Sequence, residues 1–235
     1  MSVMCGRFNV TSDPMTELFM DFVGQPFEGN TNYNTAPRQK SWIIRTDEEG
    51  LLAPASAQWW LIPNWVKEES YKYSMFNARS ENMAKSPAFR GPFRQSRCVV
   101  PITGFYEWVT RNGQKQPYLV HAPERHGLLL AGLWDRWINP ETEEPLDSFT
   151  ILTTDVVEDL KFLHHRQPVM LSKHDAFTWL ERNTAKDELQ SLCRPHLPYD
   201  MLATPVSTYV NNMRNRGEEC VEEVGNTIKL NATAN

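Results

Sequence analysis

From Arg97 to Thr153, strand-like segments follow one another with connections too short for a crossover helix, and this limits the fold more than any other feature of the chain. A parallel neighbour needs a dozen or more residues to return, so these strands must pair antiparallel. Residues 97–102 lead into 105–110. Asn112-Gly113, the dipeptide favoured where both central residues of a turn take positive φ, then sends the chain back through 117–122. Residues 128–138 pair with 149–153 across an acidic loop at 140–147, and 41–46 turns earlier through Asp47-Glu48-Glu49-Gly50.

Helical signals flank this meander. Asp13-Pro14 reads as an N-cap followed by proline at the first helical position, ahead of Met15, Leu18, Phe19 and Phe22 at helical spacing. Asp155 with Glu158, and Ser172 with Asp175, form capping pairs for two short helices. Between them 167–171 is extended, because a residue before proline leaves the helical region. A third helix is expected over 184–193, a last strand over 205–210 and a poorly ordered tail over 224–235. The implied class is α+β: a curved antiparallel sheet or open β-barrel-like core with flanking helices. No stretch reads as a linker, so residues 1–235 are expected to form a single domain.

Hydrophobic residues at 40% supply a sizeable core and exclude a disordered chain. The longest apolar run, 128–134, is far short of the roughly 20 residues a membrane span needs, and no basic-then-apolar leader opens the sequence. A cytoplasmic protein without membrane contact is expected. The 4 cysteines, at 5, 98, 193 and 220, form no CxxC pair, which argues against a disulfide scaffold or a common zinc site. The formal net charge of -5 argues weakly against nucleic acid, but its distribution does not. Arg79, Lys85, Arg90, Arg94 and Arg97 stand against the single acid Glu81, so 79–97 is locally +4 (5 minus 1). Arginines outnumber lysines 15 to 9, a bias toward the planar group that grips phosphates with two donors.

Several side chains have chemistry to offer. Cys5, beside Gly6 and Arg7, is a nucleophile if the neighbouring cation lowers its pKa, and a structural thiol otherwise. The strand period places Glu107 on one face with Phe105 and Val109, and Tyr106 and Trp108 on the other. A carboxylate so flanked is raised in pKa by burial and suits general acid or base work, unless it is exposed and paired with an arginine. His164 and His165 follow a helix end, whose dipole favours protonation. Asn77-Ala78-Arg79-Ser80-Glu81 joins an amide to a phosphate-binding type of residue. Trp59, Trp60 and Trp65 either stack on bases or fill core.

Eight segments in order give these residues a common meaning: Cys5-Gly6-Arg7-Phe8, Tyr33-Asn34-Thr35-Ala36-Pro37, Trp60-Leu61-Ile62-Pro63-Asn64-Trp65, Asn77-Ala78-Arg79-Ser80-Glu81, Arg97-Cys98-Val99-Val100-Pro101, Gly104-Phe105-Tyr106-Glu107-Trp108, His164-His165-Arg166-Gln167-Pro168 and Pro205-Val206-Ser207 to Asn211-Asn212. Together they resemble the SRAP family, the SOS response-associated peptidase proteins, over nearly the whole chain. The resemblance implies a barrel-like antiparallel sheet and a positively charged groove for single-stranded DNA. It also implies covalent capture of abasic sites by an N-terminal cysteine in the DNA-damage response, with (auto)peptidase and lyase-like activity. Carried over by position, Cys5 is the nucleophile, with Asn77, Glu107 and His164 around it. Arg7, Arg79 and Arg166 meet phosphates, Pro37 and Trp65 border the DNA, and Thr153 lines the site. No metal or organic cofactor is implied, the partner is abasic single-stranded DNA, and the protein is expected to be a monomer that joins the nucleoid when bound.

Three departures stand out. Met1-Ser2-Val3-Met4 precede Cys5, where the family's cysteine follows the initiator methionine, so residues 1–4 are expected to be a removable leader. Trp60 occupies a position where glycine is usual, and Gln167 replaces methionine. Two other function classes fit the same residues: a cysteine peptidase acting on its own leader or on peptides, and a non-catalytic single-strand binding module.

Overall fold

The computed structural model describes residues 6–123 and 126–233. In chain order the first strands are β1 (Phe8–Val10), β2 (Asn32–Thr35), β3 (Lys40–Thr46), β4 (Leu52–Trp59), β5 (Asn77–Arg79), β6 (Arg97–Ile102) and β7 (Gly104–Arg111). They are followed by β8 (Gln114–His121), β9 (Leu128–Ile138), β10 (Pro145–Asp155), β11 (Arg166–Pro168), β12 (Met170–Leu171), β13 (Met201–Pro205) and β14 (Ile228–Leu230). The helices are α1 (Ser12–Phe22), α2 (Arg90–Gln95), α3 (Lys173–Leu180) and α4 (Lys186–Ser191).

One sheet runs β14-β13-β8-β7-β1-β2. The other runs β11-β10-β4-β3-β6-β9-β12, and a further pairing of β10 with β9 closes β10, β4, β3, β6 and β9 into a five-stranded barrel. The class is α+β as the sequence implied, and the barrel is closed. Closure depends on the pairing of β10 with β4, which is parallel, as is that of β10 with β5. Among the described strands, β10 therefore pairs with β4, β5, β9 and β11. Its eleven residues suffice because its first half serves β4 and its second half β5 and β11.

The near-continuous apolar run of β9 follows from burial on both faces, by the barrel interior and by α2 and α3 outside. Gly132 sits where β6, β9 and β10 crowd: a Cβ there would lie 2.9 Å from Cys98 Sγ and 3.0 Å from the Thr150 carbonyl oxygen. Trp179 of α3 is fully buried against this point and donates its indole N–H to the carbonyls of Cys98, at 3.0 Å, and Gly132, at 3.3 Å. The second sheet is covered on both faces as well. Phe105 joins the main core, while Tyr106 packs with Leu119, Val206, Val210, Cys220 and Val221.

Arg97 is buried and bonded to backbone carbonyls alone. Nε donates to Trp179 O at 2.7 Å, and one terminal nitrogen donates to Phe93 O and Arg94 O at 2.9 and 3.1 Å. The other donates to Glu181 O at 2.7 Å. These are the last carbonyls of α2 and α3, left without helical partners, so one cation caps two helix C-termini. The basic stretch 79–97 is thus not a uniform charged face.

Other expectations are corrected by the fold. Helix α1 begins one residue before Asp13, with Thr11 at the N-cap and Pro14 in the first turn rather than at its first position. The segment opened by Asp155 and Glu158 tightens to a single 3-10 turn at Glu158–Leu160. The last strand expected at 205–210 lies earlier, as β13, and 208–211 forms a 3-10 turn. The tail expected from 224 onward supplies β14, which pairs with β13 and buries Leu230. Two local signals hold as read: Asn112 and Gly113 both take positive φ, and the Ser172 hydroxyl caps α3 by accepting from the Asp175 N–H at 3.1 Å. No described helix is long and apolar enough to cross a membrane.

Candidate active site

The C-terminal half of β10 collects four of the expected site residues. Parallel pairing sets Asn77 beside Ile151 and Arg79 beside Thr153, and antiparallel pairing brings Arg166 opposite Asp155. Thr153 is buried and donates to the Ala78 carbonyl at 3.4 Å. Arg79 is exposed and lines an open groove of about 470 Å³ with Asn77, Asn82, Lys85 and Phe89.

His164 lies two residues before β11 and is buried. Its Nδ1 accepts the Arg166 backbone N–H at 3.1 Å, so in the neutral ring the proton resides on Nε2. His165 is exposed and stacks on it, with centroids 4.2 Å apart and planes 28° from parallel.

Glu107 belongs to the other sheet. It lies in β7 opposite Tyr118 of β8 and is only 3% exposed, on the face that carries Phe105, as the strand period implied. Tyr118 meets Phe162 edge-on at 5.8 Å, and Phe162 precedes His164 by two residues. Beside β7 runs β1, with Phe8 opposite Phe105 and the Tyr106 N–H donating to Arg7 O at 3.0 Å. Extending that register two residues beyond Phe8 would set Gly6 level with Glu107.

Cys5 lies outside the described residues. The three described cysteines are buried, and burial raises their thiols: Cys98 far up, Cys193 to about 12 and Cys220 to about 11. None of these three is a thiolate at neutral pH. Among the described residues, no group of three or more His, Cys, Asp or Glu side chains is arranged to hold a metal.

Two of the three arginines expected at phosphates are engaged inside the protein. Arg166, its side chain 9% exposed, makes a bidentate pair with Glu81 at 2.5 and 2.9 Å and bonds Asp155 at 3.0 Å. It also donates to the carbonyl and hydroxyl oxygens of Thr153 at 2.7 and 3.2 Å. The Arg166 hydrogen bonds hold the Glu81 carboxyl below the usual carboxylate range. Arg7 donates to Asn34 Oδ1 at 3.3 Å, to Asn211 O at 2.9 Å and to Val210 O, and lies 5.0 Å over the Trp108 ring. Burial lowers its pKa. Asn34 Nδ2 donates to the carbonyls of Val210, Asn212 and Asn215, so Arg7 and Asn34 bind the 210–215 segment against β1 and β2. Sequence reasoning held both Tyr33–Pro37 and Asn211-Asn212 as motifs, but nothing local said that they meet.

Trp65 is 63% exposed, and Pro37 is half-buried at a turn. Trp59 and Trp60 are core instead, packed on Phe76 at 5.6 Å each. Gln167 is buried with both ends used: Oε1 accepts from the Val157 N–H at 2.8 Å and Nε2 donates to His196 O at 2.9 Å. A methionine there would leave both backbone groups unmatched.

A closed five-stranded barrel joined to a second antiparallel sheet, with a polar cluster along the outgoing half of β10, defines an α+β protein with a candidate site on that strand. Residues 4–213 match the model of a family described as SRAP, SOS response associated peptidase. The chain belongs to the SRAP family. It is 37% identical over 224 residues to the abasic site processing protein YoqW of Bacillus subtilis (strain 168), covering 93% of this chain and 99% of that one. It is 36% identical over 203 residues to the abasic site processing protein HMCES of Gallus gallus, covering 75% of this chain and 60% of the relative. A crystal structure of a protein from Bacteroides thetaiotaomicron superposes with a TM-score of 0.80 at 25% identity, over 92% of this chain and 98% of that one.

Proposed function

We propose that this chain captures abasic sites in single-stranded DNA during the DNA-damage response, joining Cys5 covalently to the opened sugar. The observation that supports the reading is the register of β1 on β7, with Phe8 opposite Phe105; continued toward the N-terminus, it runs Gly6, the neighbour of Cys5 in sequence, toward the buried Glu107. The relatives named as abasic site processing proteins supply the substrate class.

An abasic site equilibrates with a ring-opened aldehyde. A terminal amine, with a pKa of about 7.7–8.0, is partly neutral at physiological pH and attacks that carbonyl. Loss of water gives an imine. The Cys5 thiol then adds to the imine carbon, forming the C–S bond as its proton passes to nitrogen, and a five-membered thiazolidine closes. Glu107 is the group for these proton transfers. His164, with Nε2 as its proton-bearing atom, stabilises or protonates the opened sugar. Asn77 orients the sugar or the amine, and Arg79 binds a neighbouring phosphate.

This chemistry needs the amine of Cys5, which Met4 blocks while the Met4–Cys5 peptide is intact. The active species therefore begins at Cys5, either after initiation at Met4 and removal of that methionine or after hydrolysis of the Met4–Cys5 bond by the site itself. The family match begins at Met4. A denaturing gel tests the reading. A shifted band is expected with an abasic strand and none with an intact one, and Cys5→Ala should abolish it. A band of equal strength from Cys5→Ala overturns the nucleophile. Equal non-covalent retention of both strands, with no band, makes the protein a binding module.

A further inference from the structure

Outside the β10 cluster, Arg38 is the most anomalous side chain on the surface. Residues 36–39 form a tight turn in which Gln39 N–H donates to Ala36 O at 3.1 Å, with Pro37 at the second position. Arg38, at the third, has φ +73°. That is the position where such a turn favours glycine, so an arginine there costs backbone strain. The turn is fixed to β4 by Arg38 N–H to Trp59 O and Trp59 N–H to Gln39 O, both at 2.9 Å.

The strained backbone directs the Arg38 guanidinium onto an aromatic stack. Its central carbon lies 3.9 Å from the Tyr71 ring centroid and 5.1 Å from that of Trp60. Trp60 meets Tyr71 edge-on at 5.4 Å and leans on Phe76 at 5.6 Å. Phe76 directly precedes Asn77 of the candidate site. The stack thus runs unbroken from the site strand to the turn that carries Pro37. Trp60, the residue standing in place of the usual glycine, is its middle layer. Arg38 is exposed and within 4 Å of no carboxylate among the described residues. The loop beneath it also presents Trp65 and Tyr73, 63% and 70% exposed. In sequence, the segments that carry the stack, 38–40 and 65–73, hold Arg38, Lys40, Lys67 and Lys72 against Glu68 and Glu69, and the Tyr71 hydroxyl is bonded to Glu69.

We propose that Arg38 is a phosphate-binding residue, held flat by Tyr71 and Trp60, that extends the DNA interface from the abasic-site pocket along the Pro37–Trp65 side. A stacked guanidinium keeps its in-plane donors free for phosphate while its charge and face are fixed by the rings. The inference rests on the single-stranded DNA reading above and adds to it a contact to the strand flanking the captured nucleotide.

The test is equilibrium binding of an intact fluorescent single strand as a function of salt, with crosslinking to an abasic strand as a separate arm. Arg38→Gly relieves the turn, so its melting temperature should equal or exceed that of the wild type. Its affinity should fall about tenfold at low salt, the loss of one charge-assisted contact. The slope of log K against log salt should shrink by about 0.7. Tyr71→Ala should weaken binding in the same direction and Tyr71→Phe should not. Wild-type affinity and slope in Arg38→Gly overturn the proposal, while the abasic-capture reading survives if the wild-type chain still gives its covalent band. A wild-type chain that binds the strand but forms no band sinks the capture reading and leaves the Arg38 contact to be judged by the slopes alone. A wild-type chain that binds no strand overturns both.

Discussion

Replacing Arg97 with methionine tests whether the basic stretch divides as the structure says. The substitution keeps an apolar stem of similar length and removes four hydrogen bonds of 2.7–3.1 Å to the carbonyls of Phe93, Arg94, Trp179 and Glu181. Hydrogen bonds from a charged donor are worth about 1.5–3 kcal/mol each. The four are not additive, since relaxation and water reach some of the carbonyls that are freed. The desolvation cost of burying the cation, which lowers its pKa, is also recovered. A net loss of about 3–5 kcal/mol follows, the range for breaking a buried charged network. For a chain of 235 residues that corresponds to a fall in Tm of roughly 6 to 20 °C. Arg97→Lys retains the charge but loses the fork that reaches two helix ends, and should recover less than half. Urea unfolding followed by circular dichroism measures the loss, and binding of a single strand to the folded variant should be unchanged. A loss under about 1 kcal/mol, or weakened DNA binding at full stability, would refute the capping role.

Three further outcomes follow from the site. Glu107→Gln and His164→Ala should each slow crosslinking by roughly 10²–10⁴-fold with little effect on strand binding, measured by single-turnover gel kinetics; native rates in Glu107→Gln would end its assignment as the proton-transfer group. Arg79→Ala should do the reverse, weakening strand affinity and reducing the salt slope by about 0.7 while leaving the crosslinking rate at saturating DNA unchanged. The folded-state pKa of Glu81 is depressed, so its pairing with Arg166 stabilises the protein above the ordinary carboxylate pKa and is lost as the pH falls through the folded value. Glu81→Gln should therefore be less stable than the wild type at neutral pH and converge with it in acid, as read from Tm between pH 7 and pH 3.

What was legible in the sequence was local. β9 spans the strand expected over 128–138, and the Asn112-Gly113 turn and the Ser172 cap are set by backbone geometry within a few residues. What was not legible depends on distant pairing. The parallel contacts of β10 with β4 and β5 close the barrel and bring Asn77 and Arg79 beside β10, yet they join segments far apart in sequence and leave no periodic mark of their own. The strand period put Glu107 on the correct face of β7, but only the second sheet's covering segment explains how both faces come to be buried. Helix α2 was missed because Pro92 and Gly91 mask a six-residue helix whose stability comes from packing and from Arg97 rather than from propensity.

Charge counting failed for a physical reason that bears on function. A guanidinium meets carbonyls and carboxylates with the same fork that meets phosphate, so sequence cannot say which partner an arginine has. The fold divides them. Arg97 caps helices, Arg7 fastens the 210–215 segment and Arg166 is enclosed by Glu81, Asp155 and Thr153. Arg79 and Arg38 face solvent. A protein with net charge -5 gains little from its overall field in attracting a polyanion, so on the proposed reading strand affinity would come from a few outward cations near exposed aromatics. The inward arginines serve that same end indirectly. They fix β1 against the 210–215 segment and β11 against Glu81 and β10, and so position Arg7 and the strand that follows His164; under the proposed capture reading, that is the framework positioning would need.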